Sequence, residues 1–334
     1  MDWFVDRNEQ TERTHPSRGR GSLTLCAAAL AIAGFPWGRF VVADDDDSRL
    51  RQRIVELEAE NRALRKIITE IQGALESVPK TGLPRSGDKH GLRIVVLSDD
   101  WGDSQLEDIR RVCLSSAGTI WSQLPDDALS PILVRRSHSG PISLFQRGKG
   151  SEYVVKLDTS DKAWAQCAFQ FSHEFCHIIC NFRNAPNRQL WFEETLSECA
   201  SLYALRRMAV EWKTKAPYAN WTSYASALGD YADGRIKKYD GRKEPLSEFY
   251  QTHQGELEKN ATKRELNGYM ALKLLPLFEK SPSAWQSVRY INLGPQEENA
   301  AFKHYLSGWH DRVPAQHKPF VKQMAAEFGI ELSQ

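Results

Sequence analysis

The pentapeptide His173-Glu174-Phe175-Cys176-His177 constrains what this chain can fold into more than any other stretch. Residues four apart on a helix lie on one face, one turn above the other. Two imidazoles so placed can bind one Zn²⁺ at about 2 Å each. Glu174, beside the first of them, can then take a proton from a water on the ion. This chemistry demands a helix here, and a second element that brings a further ligand to the same face. The surroundings agree with a helix. Val154 to Asp158 (VVKLD) reads as a short strand, and Thr159-Ser160-Asp161 offers N-cap oxygens. From Lys162 to about Asn181 the chain is rich in apolar residues and free of Pro and Gly.

Trp191-Phe192-Glu193-Glu194-Thr195-Leu196-Ser197-Glu198 begins fourteen residues after His177 and opens a second helix that runs to about Lys213. The two motifs in this order resemble the gluzincin metallopeptidases of the peptidase-MA-like clan, whose H-E-x-x-H helix is followed by a helix carrying a glutamate as third zinc ligand. The pattern W-x-x-E-G-x-A of aminopeptidase-N-like members aligns with Trp191 to Ser197. The resemblance makes Glu194 the third ligand beside His173 and His177. Glu198, one turn on, matches the acid with which thermolysin-like members orient a ligand histidine; such carboxylates fix the imidazole tautomer and raise its basicity. The likeness spans roughly residues 90 to 290 in arrangement and two short motifs in letters. Thr195 stands where the pattern has glycine and Ser197 where it has alanine, which could narrow the cleft near the metal. No G-x-M-E-N substrate-anchoring sequence is present, so the likeness is to the clan and not to aminopeptidase N. It implies an α+β, zincin-like fold, with a small mixed sheet plus the active-site helices.

Helical geometry separates the adjacent glutamates. If Glu194 faces the metal, Glu193 points about 100° away and Glu198 returns to the same face. Glu194 and Glu198 then form the better pair, with Glu193 as the competing ligand. The alternative without chemistry has His173 and His177 as ordinary helix residues and the three glutamates as a solvated acidic face. Catalysis further needs an open fourth position for water, whose pKa falls to about 7 on zinc. It also needs a donor to the oxyanion formed on carbonyl attack. The clan's aminopeptidases use a tyrosine on a later helix, and Gly268-Tyr269-Met270-Ala271 resembles such a helix start. Tyr269 is the candidate, against the alternative of a core tyrosine with its hydroxyl at the surface. Tyr203, further along the Glu194 helix, is the other candidate.

The clearest periodicity lies elsewhere. Leu50, Ile54, Leu57, Asn61, Leu64, Ile68, Ile71, Leu75 and Val78 recur at spacings of four and three, the d and a positions of about four heptads. Asn61 falls at an a position, where a polar residue specifies register and favours two parallel strands. Arg53 can meet Glu58 of a partner, and Glu60 can meet Arg65. The expectation is a parallel homodimer through residues 48–78; the alternative is a single amphipathic helix packed on its own chain. Before this run, residues 1–43 carry Arg13, Arg18 and Arg20 ahead of an apolar stretch from Leu23 to Phe35, with Val41-Val42-Ala43 as small residues for a signal peptidase. This reads as a secretory signal peptide or as an uncleaved anchor through residues 23–42, with Arg39 snorkelling. Either way the remainder lies outside the cytoplasm.

The segments that follow are a coiled-coil region (44–80), a Pro- and Gly-containing linker (81–90), a zincin-like subdomain (91–215) and a helical C-terminal subdomain (216–334). Strands are expected at Leu92–Leu97, Pro131–Val134 and Glu152–Leu157, and a helix over Ser104–Leu124. Helices are expected around 221–231, 247–257, 264–277, 283–291, 300–307 and 320–328. A net charge of +1 with interspersed signs argues against a nucleic-acid partner. Outside the presumed signal (Cys26), the cysteines are Cys113, Cys167, Cys176, Cys180 and Cys199. They match no Cys₄ zinc site and read as small buried hydrophobes. The function so implied is zinc-dependent hydrolysis of peptide or protein substrates, with Glu174 as base. The alternative is an exported coiled-coil dimeric module whose zinc site is structural or vestigial.

Overall fold

Ile132-Leu133-Val134 is apolar on both faces, as a strand covered on both sides requires, and it lies within the sheet and not at its edge. The structure, a computed structural model, describes residues 52–57, 59, 91–124, 129–239, 241–295 and 297–333. Strands β1 (Ile94–Val96), β2 (Ile132–Arg136), β3 (Ile142–Ser143) and β4 (Tyr153–Leu157) form one sheet in the order β1-β2-β4-β3. β1, β2 and β4 are parallel, and β3 adds an antiparallel edge against β4. With the helices that follow, this is an α+β fold with a small mixed sheet.

Helix α1 (Leu106–Trp121) connects β1 to β2 and buries Ile109, Val112, Cys113, Ala117 and Ile120, the spacing of one helical face. Helix α2 (Trp164–Ile179) is buried along nearly its whole length between α1, the sheet and α3 (Leu190–Lys215). A helix surrounded in this way must be apolar all round, which explains why its few polar residues stand out. Two of its contacts fix its position on the sheet. Gln170 exchanges hydrogen bonds of 2.9 Å each with the backbone N–H and carbonyl of Asp158, at the end of β4. Ser143 of β3 donates to the carbonyl of Glu174 at 3.1 Å.

The expected cap of α2 is not used. Ala163 stands at the N-cap, with no side-chain hydrogen bond. Asp161 adopts a left-handed φ of 53°, and its carboxylate accepts from the N–H of Asp103 at 3.0 Å. Its oxygen is spent on a turn distant in sequence, so the helix begins later than the residue types suggest.

Beyond α3 the chain is helical: a 3₁₀ turn (Ala219–Tyr224), then α4 (Ala225–Lys237), α5 (Leu246–Leu257), α6 (Arg264–Lys280), α7 (Trp285–Val288), α8 (Phe302–Arg312) and α9 (Lys318–Glu327). The expected helix over 283–291 is reduced to a 3₁₀ turn and the four residues of α7. These elements grip both ends of α3. At its start Trp191 packs against Tyr250, Phe302 and Phe328 at ring separations of 5.4, 4.6 and 6.0 Å. Its indole N–H donates to Gln189 Oε1 at 2.9 Å, and Asn267 donates to its carbonyl at 3.1 Å. Truncating a buried tryptophan to alanine costs about 3–5 kcal/mol, so this anchor helps determine where Glu193 and Glu194, two and three residues on, are held. Towards its end Trp212 stacks on Trp221, which stacks on Trp164 at the start of α2.

Cys113, Cys167, Cys176, Cys180 and Cys199 are free thiols and all are buried. Of the heptad run only residues 52–57 and 59 are described; they are helical, and Ile54 and Leu57 are 47% and 41% exposed. The other heptad positions, the signal or anchor segment and the linker lie outside the described residues. Among the described residues no helix is long and apolar enough to cross a membrane.

Candidate metal centre

His173 and His177 sit one turn apart on α2 with ring centres 5.0 Å apart. Helix α3 packs against α2 and brings Glu194 to the Nε2 atoms of both rings. Glu194 Oε2 lies 3.2 Å from His173 Nε2, and Oε1 lies 3.5 Å from His177 Nε2. Donor atoms on a tetrahedral ion with bonds of about 2 Å stand roughly 3.3 Å apart; the two His–Glu194 separations are of that size, each to a different carboxylate oxygen. Taking one such atom from each residue, all three fall within 4.8 Å of one another. The donor set of two imidazoles and a carboxylate therefore fits a metal ion.

The far nitrogens of the rings face carboxylates. His177 Nδ1 lies 2.5 Å from Glu193 Oε1. Glu193 Oε2 in turn accepts from Asn292 Nδ2 at 2.6 Å, and Asn292 Oδ1 accepts from the Tyr305 hydroxyl at 3.1 Å. His173 Nδ1 lies 3.8 Å from Glu198 Oε2, whose other oxygen accepts from Arg235 at 3.0 Å. The Arg235 guanidinium also lies 4.3 Å over the ring of Phe169. Burial lowers the Arg235 pKa, but the Glu198 carboxylate outweighs it and leaves the guanidinium above its ordinary value. A carboxylate at Nδ1 keeps the proton on that nitrogen and leaves the Nε2 lone pair for a metal.

His173, Glu174, His177, Glu193, Glu194 and Glu198 are each no more than 7% exposed. Several carboxylates taken out of water together are costly without counter-charge, and a divalent cation where the Nε2 atoms converge adds positive charge at that point.

The structure thus brings together His173, His177, Glu194 and Glu198, with Glu174 next to His173 on the same buried helix. Glu193 is off the ligand position, as its helical angle requires, but it is not idle. The same rotation carries it to the opposite side of His177. Two adjacent glutamates on a helix crossing an H-E-x-x-H helix were a usable signal for this. Arg235 and Asn292 had none, because they reach the site across 37 and 99 residues.

The hydroxyl of Tyr269 donates to the Glu244 carbonyl at 2.7 Å, and its ring packs on Phe249 at 4.4 Å. The glycine before it makes room for a neighbour, since a Cβ at Gly268 would collide with Tyr239. Tyr203 is buried with its ring 5.4 Å from Trp285, and burial pushes its hydroxyl pKa up. In comparison with family models, with curated proteins and with solved structures, nothing matches this chain, and the chemistry assigned to the site rests on its geometry.

Proposed function

We propose that this chain is a zinc-dependent metallopeptidase of gluzincin type, with His173, His177 and Glu194 as ligands and Glu174 as the proton carrier. The observation that carries the reading is the convergence of both Nε2 atoms on one carboxylate, at 3.2 and 3.5 Å. Three ligands of this mixed kind suit zinc and leave a position open. When bound, zinc supplies a Lewis acid and lowers the pKa of water to about 7. The chain's own residues do the rest. Glu174 accepts a proton from the attacking water and returns it to the leaving amine. Its backbone is one residue from a ligand and is held by Ser143 of the edge strand. Glu193 holds the His177 imidazole in the tautomer that presents Nε2, and Glu198 stands on the Nδ1 side of His173.

The same reading has the catalytic region outside the cytoplasm, a peptide or protein as substrate, and a homodimer formed through residues 48–78. A second reading, an exported coiled-coil module with a structural or vestigial site, has one observation on its side: every member of the site is buried. Glu174 favours the enzyme, because a structural site has no use for a base beside its ligands. Metal analysis of the purified chain together with a broad peptide-library digest separates them. Zinc near one per chain with cleavage supports the peptidase, and zinc without cleavage supports the module.

A further inference from the structure

The metal ligands come from α2 and α3, yet the outer contacts of their carboxylates come from much later in the chain. Asn292 follows α7 and Tyr305 lies on α8. Both ends of the Asn292 amide are used. Its nitrogen donates to Glu193 Oε2 at 2.6 Å, and its oxygen accepts from Tyr305 at 3.1 Å. The tyrosine therefore sets which way the amide faces, and the amide in turn holds Glu193 against His177 Nδ1. Asn292 is 1% exposed, so water cannot substitute for these bonds at low cost.

Resting on the metal-site reading above, we propose that Asn292 is a positioning residue for the ligand His177, acting through Glu193, so that metal affinity depends on the seating of residues 289–312. Glu193 needs to be correctly turned to hold Nδ1 of His177. Removing the Asn292 donor lets the carboxylate rotate, and the imidazole loses its fixed orientation. The arm on the other histidine is looser: Glu198 stands 3.8 Å from His173 Nδ1 against 2.5 Å for Glu193 and His177. The Asn292 arm is therefore the more demanding of the two.

The test is a zinc competition titration against a chromophoric chelator on the full chain, with cobalt(II) absorption spectra as a second readout. Asn292→Ala is expected to weaken zinc binding about 10–100-fold, the usual effect of losing an outer contact to a ligand, and to alter the cobalt spectrum. Glu193→Gln should do the same, and the double variant should cost little more than either alone, because the two act in series. Circular dichroism of the metal-free variants separates this from general loss of structure. If Asn292→Ala does not fold, Tyr305→Phe carries the same expectation at smaller size. Folded variants with wild-type zinc affinity and an unchanged cobalt spectrum overturn the proposal while leaving the metal site standing. A wild-type chain that takes up neither zinc nor cobalt overturns both.

Discussion

Glu193 and Glu194, neighbours on one helix, serve opposite edges of the same imidazole: Glu193 Oε1 lies 2.5 Å from His177 Nδ1, and Glu194 Oε1 lies 3.5 Å from His177 Nε2. Their consequences for metal binding should therefore differ in kind. His173→Ala, His177→Ala and Glu194→Ala each remove a ligand and should abolish stoichiometric zinc after dialysis against a mild chelator. Glu193→Ala should keep zinc at saturation but bind it about 10–100-fold more weakly. Metal analysis before and after dialysis reads both effects. Zinc retained by Glu194→Ala and stripped by Glu193→Ala would exchange the two roles.

The hydroxyl of Tyr269 is engaged by the Glu244 carbonyl at 2.7 Å. Tyr269→Phe should lower stability by about 0.5–1.5 kcal/mol, the net worth of a typical hydrogen bond, with kcat nearly unchanged. A fall of about 10²–10³-fold in kcat at unchanged stability, the cost of losing an oxyanion donor, would make Tyr269 the oxyanion donor instead.

Burial pushes the Cys113 and Cys199 thiols up, with the neighbouring Cys167 adding to the first and the neighbouring Cys176 to the second. In the unfolded chain a thiol titrates near about 8.5. A folded pKa above the unfolded one means that the unfolded state loses protons first, so this contribution to stability is intact below about pH 8.5 and falls as pH rises beyond it. Native protein at pH 8 should resist iodoacetamide, and denaturant should expose all the thiols. Fast alkylation of Cys113 or Cys199 in the native state would contradict their burial.

How much of this could be read from the residues depended on distance along the chain. The α2 and α3 helices and the grouping of His173, His177 and Glu194 were legible because their signals are local: a four-residue spacing, a run free of Pro and Gly, and a second motif fourteen residues on. Strand β3 was not, since two residues carry no period. The cap at Thr159 to Asp161 was misread because Asp161 bonds to Asp103, 58 residues earlier. Asn292 and Arg235 were invisible for the same reason. Polar residues that act only through tertiary contact leave no pattern in a linear sequence.

Ile54 and Leu57 are two of the heptad positions in the run from Leu50 to Val78, through which the proposed dimer would form. If the proposed dimer forms, deleting residues 48–78 should convert it to a monomer in light scattering while residues 91–333 stay folded. Asn61→Ile should admit trimers or mixed species, because the polar a position no longer enforces two strands. A full-length chain that is monomeric at micromolar concentration would remove the dimer from the account.

The most direct measurement of the central claim is peptide hydrolysis by Glu174→Gln beside wild type, with zinc content and thermal stability followed on the same samples. The substitution keeps size and most hydrogen bonding but removes the proton acceptor. General acid–base catalysis contributes about 10²–10⁴-fold, so a loss in kcat at least that large is predicted, with zinc near one per chain in both proteins and similar melting temperatures. A wild type that holds zinc and cleaves nothing in a broad peptide library, with Glu174→Gln indistinguishable from it, would contradict the peptidase and leave a structural metal site in its place.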